Sequence, residues 1–155
     1  MTHSYTHERG QTSLVFVATL VIIIGAFALL IDGGRYLVMR SQARMMTDAS
    51  ALSGASIIDV DEAKKGNFVL ETSGADKEGN SIVTASEKAV EIFKKNKEDT
   101  PPWTLYQIDV RVYENEIWVK ITGHFSPVFG SGLGLSYSTS VTSSARAAVG
   151  ISEER

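Results

Sequence analysis

Residues 12–31 read TSLVFVATLVIIIGAFALLI, 20 positions without one charged side chain. At 1.5 Å per residue a helix of this length covers roughly 30 Å, the thickness of a bilayer's hydrocarbon core. Charges close it on both sides, Glu8 and Arg9 before it, Asp32 and Arg35 after it. A core helix of a soluble protein is commonly shorter and keeps a polar stripe, which Thr12, Ser13 and Thr19 do not make. The expectation is a single transmembrane helix. A cleaved signal peptide is the rival, since Ala26-Phe27-Ala28 has the small-x-small spacing of a cleavage site. Against it, the preceding segment carries only one Arg, and a cut after Ala28 falls inside the continuing run Leu29-Leu30-Ile31. Orientation is open on charge. Arg35, Arg40 and Arg44 follow the run and vote for a cytoplasmic C-terminal side, but a tail of more than 100 residues translocates largely regardless of nearby charge.

Working outward, Tyr36, Met39, Ala43 and Met46 keep the 3, 4, 3 spacing of one apolar helical stripe, so 35–56 reads as helix. Joined to the apolar run it makes one helix of about 45 residues, roughly 68 Å long, with Gly33-Gly34 as its candidate kink. The stretch TDASALSGAS (47–56) is crowded with small residues that admit a neighbouring backbone. Gly25, Ala43, Ala49, Ala51, Gly54 and Ala55 are therefore the expected sites of lateral helix packing. Residues 57–80 are polar and Gly-punctuated and read partly as surface loop. A second, amphipathic helix follows, with Ile82, Val83, Ser86, Ala89, Val90 and Phe93 on one face, and Thr84 and Glu87 at capping-box spacing. Pro101-Pro102 ends it. Tyr106–Val112 and Ile117–Thr122 alternate apolar and polar residues around a turn at Glu114-Asn115, and a third strand covers about Leu135 to Ala148. The fold class is α+β: a long N-terminal transmembrane and stalk helix, an amphipathic helix, and a three-stranded antiparallel meander in a pilin-like head.

Composition narrows the function. Fifteen Lys and Arg against 18 Asp and Glu leave a net charge of −3, which argues against a general nucleic-acid binder. With no Cys there is no disulfide framework, thiol nucleophile or zinc-thiolate site. His3 and His7 share helical spacing but lack a third ligand beyond Glu8. Asp59, Asp61 and Glu62, and the run Asp76–Asn80, lack the ligand order of a calcium loop and read as solvated. Gly130-Ser131-Gly132-Leu133-Gly134 joins two strands rather than a strand to a helix, so it reads as a flexible hairpin loop and not a phosphate cradle. His124 reads as a strand-face residue, and Trp118 either packs the head or marks a protein contact. No nucleophile elbow and no His–acid pair is present. Asp32 and Arg35, three apart, read as an ion pair at the membrane boundary. The expectation is a protein without catalysis, metal or cofactor.

Three stretches together resemble the TadE/TadG-like proteins of the Tad (tight adherence, or Flp) pilus-assembly system. They are Glu8-Arg9-Gly10-Gln11, Ile31-Asp32-Gly33-Gly34-Arg35 and Thr47-Asp48-Ala49-Ser50-Ala51-Leu52-Ser53-Gly54-Ala55, on either side of and beyond the apolar run. The resemblance covers about residues 8–56, and the remainder is similar only in style. It implies a cytoplasmic leader (1–11), a membrane helix (12–31), a helical stalk (32–56), an external head (57–150) and a short tail (151–155). It also implies the inner membrane, with N-terminus inside and head outside, and as partners membrane lipid, other pilus or Tad-apparatus subunits and further copies of the chain. Gly10-Gln11 is the position of a leader-processing site, but Val15 stands where processed members carry Glu, which brings the chain closer to the TadG-like branch or to a minor component that keeps its leader. The function so implied is membrane-anchored pilus assembly through protein contacts. The alternative is a membrane-tethered ligand-binding module unrelated to pili, marked by a recessed aromatic pocket. A secreted enzyme released at Ala28 is a distant third.

Overall fold

The computed structural model describes residues 8–75 and 81–147. Helix α1 (Glu8–Ala55) runs unbroken for 48 residues, through Gly33-Gly34, so the two helical segments read from the sequence are one. Its first half stands bare: of the 18 most apolar consecutive residues, none is buried. Its second half does not stand free as a stalk. From Met39 onward it is the spine of the head, with Met39, Ala43, Met46, Ala51 and Ala55 all in the core.

The rest of the chain wraps this spine. α2 (Val60–Lys64) is a short helix inside the segment expected to be loop, started by Asp59, whose carboxylate accepts from the amides of Asp61 and Glu62. α3 (Ala85–Glu98) opens on the capping box read from Thr84 and Glu87, with both reciprocal hydrogen bonds formed. Ala85, Ala89 and Phe93 are its buried face. Val83 was expected on that face but is exposed, because it precedes the cap and lies outside the helical phase. Removing the cap in Thr84→Ala is expected to cost about 1 kcal/mol, seen as a lowered thermal midpoint.

Strands β1 (Thr104–Tyr113), β2 (Glu116–Phe125) and β3 (Tyr137–Arg146) form an antiparallel sheet in the order β1-β2-β3. Tyr113 pairs with Glu116 across the Glu114-Asn115 turn, as the alternation requires. One face of the sheet, with Tyr106, Ile117, Val119, Ile121 and Phe125, packs against the helices, α1 lying over β2 and β3 and α3 mainly over β1. The other face is open. Trp118 lies there, 44% exposed and flanked across the strands by Arg111 and Ser144. The head is thus two layers, helices on one side of a sheet.

Two glycines set how closely the layers meet. A Cβ at Gly54 would overlap Ile117 Cδ1 and come within 2.9 Å of the Ala85 carbonyl oxygen. A Cβ at Gly123 would come within 2.9 Å of the Tyr106 ring. The Tyr106 hydroxyl in turn sits 3.2 Å from the Met39 carbonyl oxygen and 3.1 Å from Gln42 Oε1, donating to one of them and tying β1 to α1.

Candidate functional site

The chemistry of this chain concentrates where the bare part of α1 enters the head. Asp32 is the first charged residue after the apolar run, and its side chain is turned inward, 8% exposed. Its carboxylate accepts three backbone hydrogen bonds from the β2–β3 loop: Val128 N at 2.8 Å, Phe129 N at 3.2 Å and Gly130 N at 3.1 Å. These amides open a single 3₁₀ turn (Gly130–Leu133), which ends on Gly134 in the left-handed region at φ +71°. The amides at the start of a helical turn have no partners within it, and a carboxylate is the natural acceptor for them. Burial raises the pKa of Asp32, but the three amide donors and then the charge of Arg35 outweigh it, and the carboxyl lies below its ordinary value of 3.8.

Arg35 does not close on Asp32 as an ion pair. Its guanidinium lies over the Trp103 ring, 4.2 Å from the centroid, and acts on Asp32 through charge alone. Trp103 meets Phe125 edge-on at 5.8 Å, Phe125 stacks on Tyr137 at 5.5 Å, and Tyr137 lies 6.1 Å from Tyr36. The end of the sheet facing the apolar run is therefore a continuous row of aromatic rings against one side of α1. Below it a groove of about 640 Å³ opens between α1 and the loop, with Gly25, Ala28 and Leu29 on one wall and Phe129, Leu135 and Tyr137 on the other.

The residues expected to pack against other helices divide into two groups. Ala43, Ala51, Gly54 and Ala55 are buried by the chain's own sheet and α3, and Ala49 is half-buried. Small side chains there admit a close neighbour, as expected, and that neighbour is the head of the same chain. Gly25 alone is exposed, beside the groove. Gly10 and Gln11 lie within the first turn of α1. Asp59 is committed as a helix cap, and His124 is exposed on the open face of β2. His3, His7 and Asp76–Asn80 lie outside the described residues. Among the described residues no three His, Asp or Glu side chains gather where an ion would sit.

Sequence reasoning missed two features. The link from Asp32 to the loop spans 96 to 98 positions, and no local pattern announces it. The second was visible: Val17, Ile24, Ile31, Val38, Met45 and Leu52 recur every seven residues, and all are 46–68% exposed. This apolar stripe follows α1 from the bare segment up the outside of the head.

The molecule is thus one helix, long and apolar enough to cross a membrane, carrying a two-layer α+β head on its second half. Residues 10–56 match the model of the Tad family, the TadE/G-like Flp pilus-assembly family, which bears out the resemblance read from the N-terminal third. The match takes in the apolar run, Asp32, Arg35 and the small-residue segment, and that family is one of pilus assembly rather than of enzymes. No curated protein and no solved structure matches the chain.

Proposed function

We propose that this chain is a single-pass, membrane-anchored component of a Tad/Flp-type pilus apparatus, acting through protein–protein contacts rather than catalysis. The observation that carries the reading is the continuity of α1. The segment matching the pilus-assembly family is one helix that is bare over its apolar half and built into a head over its other half. On this reading residues 12–31 lie in the inner membrane, with the N-terminus inside and the head outside. The small residues of 43–55 hold the head to its own anchor, which leaves intermolecular contact to the exposed stripe. Val38, Met45 and Leu52, on the part of α1 beyond the apolar run, are the part of that stripe a pilus subunit or a second copy would cover.

The test is the double variant Met45→Glu, Leu52→Glu in cells that build the pilus. Both side chains are more than 60% exposed, so the head is expected to fold and the protein to reach the membrane at wild-type level. Piliation and recovery of other pilus components with this protein are expected to fall by about tenfold or more, the usual cost of placing charge in a buried apolar contact. Normal piliation with a stable variant would remove the stripe from the mechanism.

The groove beside Gly25 favours a second reading, the tethered ligand-binding module, because it is recessed and partly aromatic. Its position against the apolar run points to a different occupant.

A further inference from the structure

We infer that the β2–β3 loop is a second membrane-contacting element, dipping into the leaflet on the head's side and holding a boundary phospholipid's acyl chain in the groove beneath it. The inference rests on reading residues 12–31 as the membrane span. A span that begins at Thr12 reaches its polar boundary at about Ile31 and Asp32, after roughly 30 Å. The loop is fixed at that level, because three of its amides bond Asp32. The groove continues down α1 to Gly25, seven residues or about 10 Å below Asp32. The loop's apolar side chains therefore stand at the depth where lipid begins.

The loop's composition fits that position. Residues 126–136, SPVFGSGLGLS, hold no charge. Val128, Phe129 and Leu135 are 54%, 48% and 47% exposed, so the head leaves them uncovered. Polar backbone is what usually keeps a loop out of a membrane, since each unpaired group costs several kcal/mol there. Here it is paired. Asp32 takes three amides, Leu135 N and Gly134 N donate to the carbonyls of Gly130 and Ser131, and Ser131 Oγ donates to the Val128 carbonyl. The aromatic row of Tyr36, Trp103 and Tyr137, with Arg35 on Trp103, sits just above, where amphipathic rings settle at a membrane surface. The groove's walls merge with the lipid-facing flank of α1, so an acyl chain enters from the bilayer without crossing water.

The absence of Cys lets single labels be placed without side reactions. Nitroxide labels at Val128→Cys, Leu135→Cys, Ile22→Cys and Lys120→Cys, each in the full chain reconstituted in phosphatidylcholine–phosphatidylglycerol vesicles, are compared for relaxation by oxygen and by a water-soluble nickel chelate. Position 22 marks the middle of the span, and position 120 marks the open sheet face. Labels at 128 and 135 are expected to favour oxygen several-fold over the label at 120, in the same sense as position 22. If 22 favours oxygen while 128 and 135 behave like 120, the loop lies in water and the inference is overturned with the span intact. If 22 itself favours the nickel chelate, the span is wrong and the inference goes with it. Labels at 128 and 135 shielded from both reagents would show a protein contact there and would also overturn it. Two labelled positions guard against one variant failing to fold.

Discussion

Gly54→Leu is expected to lower the stability of the full-length protein in detergent micelles by about 3 kcal/mol, near the upper end for overpacked cores. The thermal midpoint would fall by roughly 10 °C. The reason is geometric. Even the first carbon of a side chain at Gly54 meets Ile117 Cδ1 and approaches the Ala85 carbonyl oxygen to 2.9 Å, so both layers would have to part. A flexible side chain would yield, but the carbonyl is backbone at the start of α3. The same change at Gly34, where an added Cβ meets nothing within 4 Å, should leave the midpoint unchanged or raise it, since leucine is the better helix former by up to about 1 kcal/mol. Thermal unfolding of both variants followed by circular dichroism checks the pair. A Gly54→Leu protein that melts like the wild type would mean that α1 does not carry the head in this way.

Asp32→Ala is expected to release the β2–β3 loop while leaving the head folded. Hydrogen exchange at the amides of Val128, Phe129 and Gly130 should accelerate by about tenfold or more, because each loses an ionised acceptor. Amides of Val119 and Ile121 in β2 should keep their protection. Protonation has the same direction of effect. The folded-state pKa of Asp32 lies below its ordinary value of 3.8, so the carboxylate's contribution is fully present above 3.8 and is lost as the pH falls through the lower folded value. Glu87 is also held below its ordinary value, by its bonds to the Thr84 amide and hydroxyl, so global acid stability mixes the two groups. The amide proton shift of Gly130, followed by NMR, separates them: its titration midpoint should fall below 3.8. A Gly130 shift indifferent to both mutation and acid would show that the carboxylate does not hold the loop.

How much of this was legible in the residues depended on the range of the interaction. The β1–β2 hairpin was readable because its alternation is local and its turn is two residues long, leaving one register. The α3 cap was readable because both its partners lie within one helical turn. α2 was passed over, being only five residues long in polar surroundings, although Asp59 followed by Asp61 and Glu62 is a usable helix-start signal. The small residues of α1 were recognised as packing positions, but residue size says nothing about whose surface arrives. Ile117 and α3, which fill that space, lie 30 or more positions away. Asp32 was marked for its charge at a boundary and given the nearest opposite charge as partner. Its acceptors' true donors are backbone amides of a distant loop, and amides carry no sequence signature.

The unbroken course of α1 has a mechanical consequence. A helix continuous from Glu8 to Ala55, clamped to its head by Asp32, Arg35 and the core, leaves no swivel between its apolar half and the head. The 24 residues beyond Ile31 make a lever of about 36 Å. If residues 12–31 span a membrane as proposed, a tilt of about 20° carries the lever's far end about 12 Å sideways. On the proposed reading of 12–31 as a membrane span, whatever sets the tilt of the span also sets the bearing of the head.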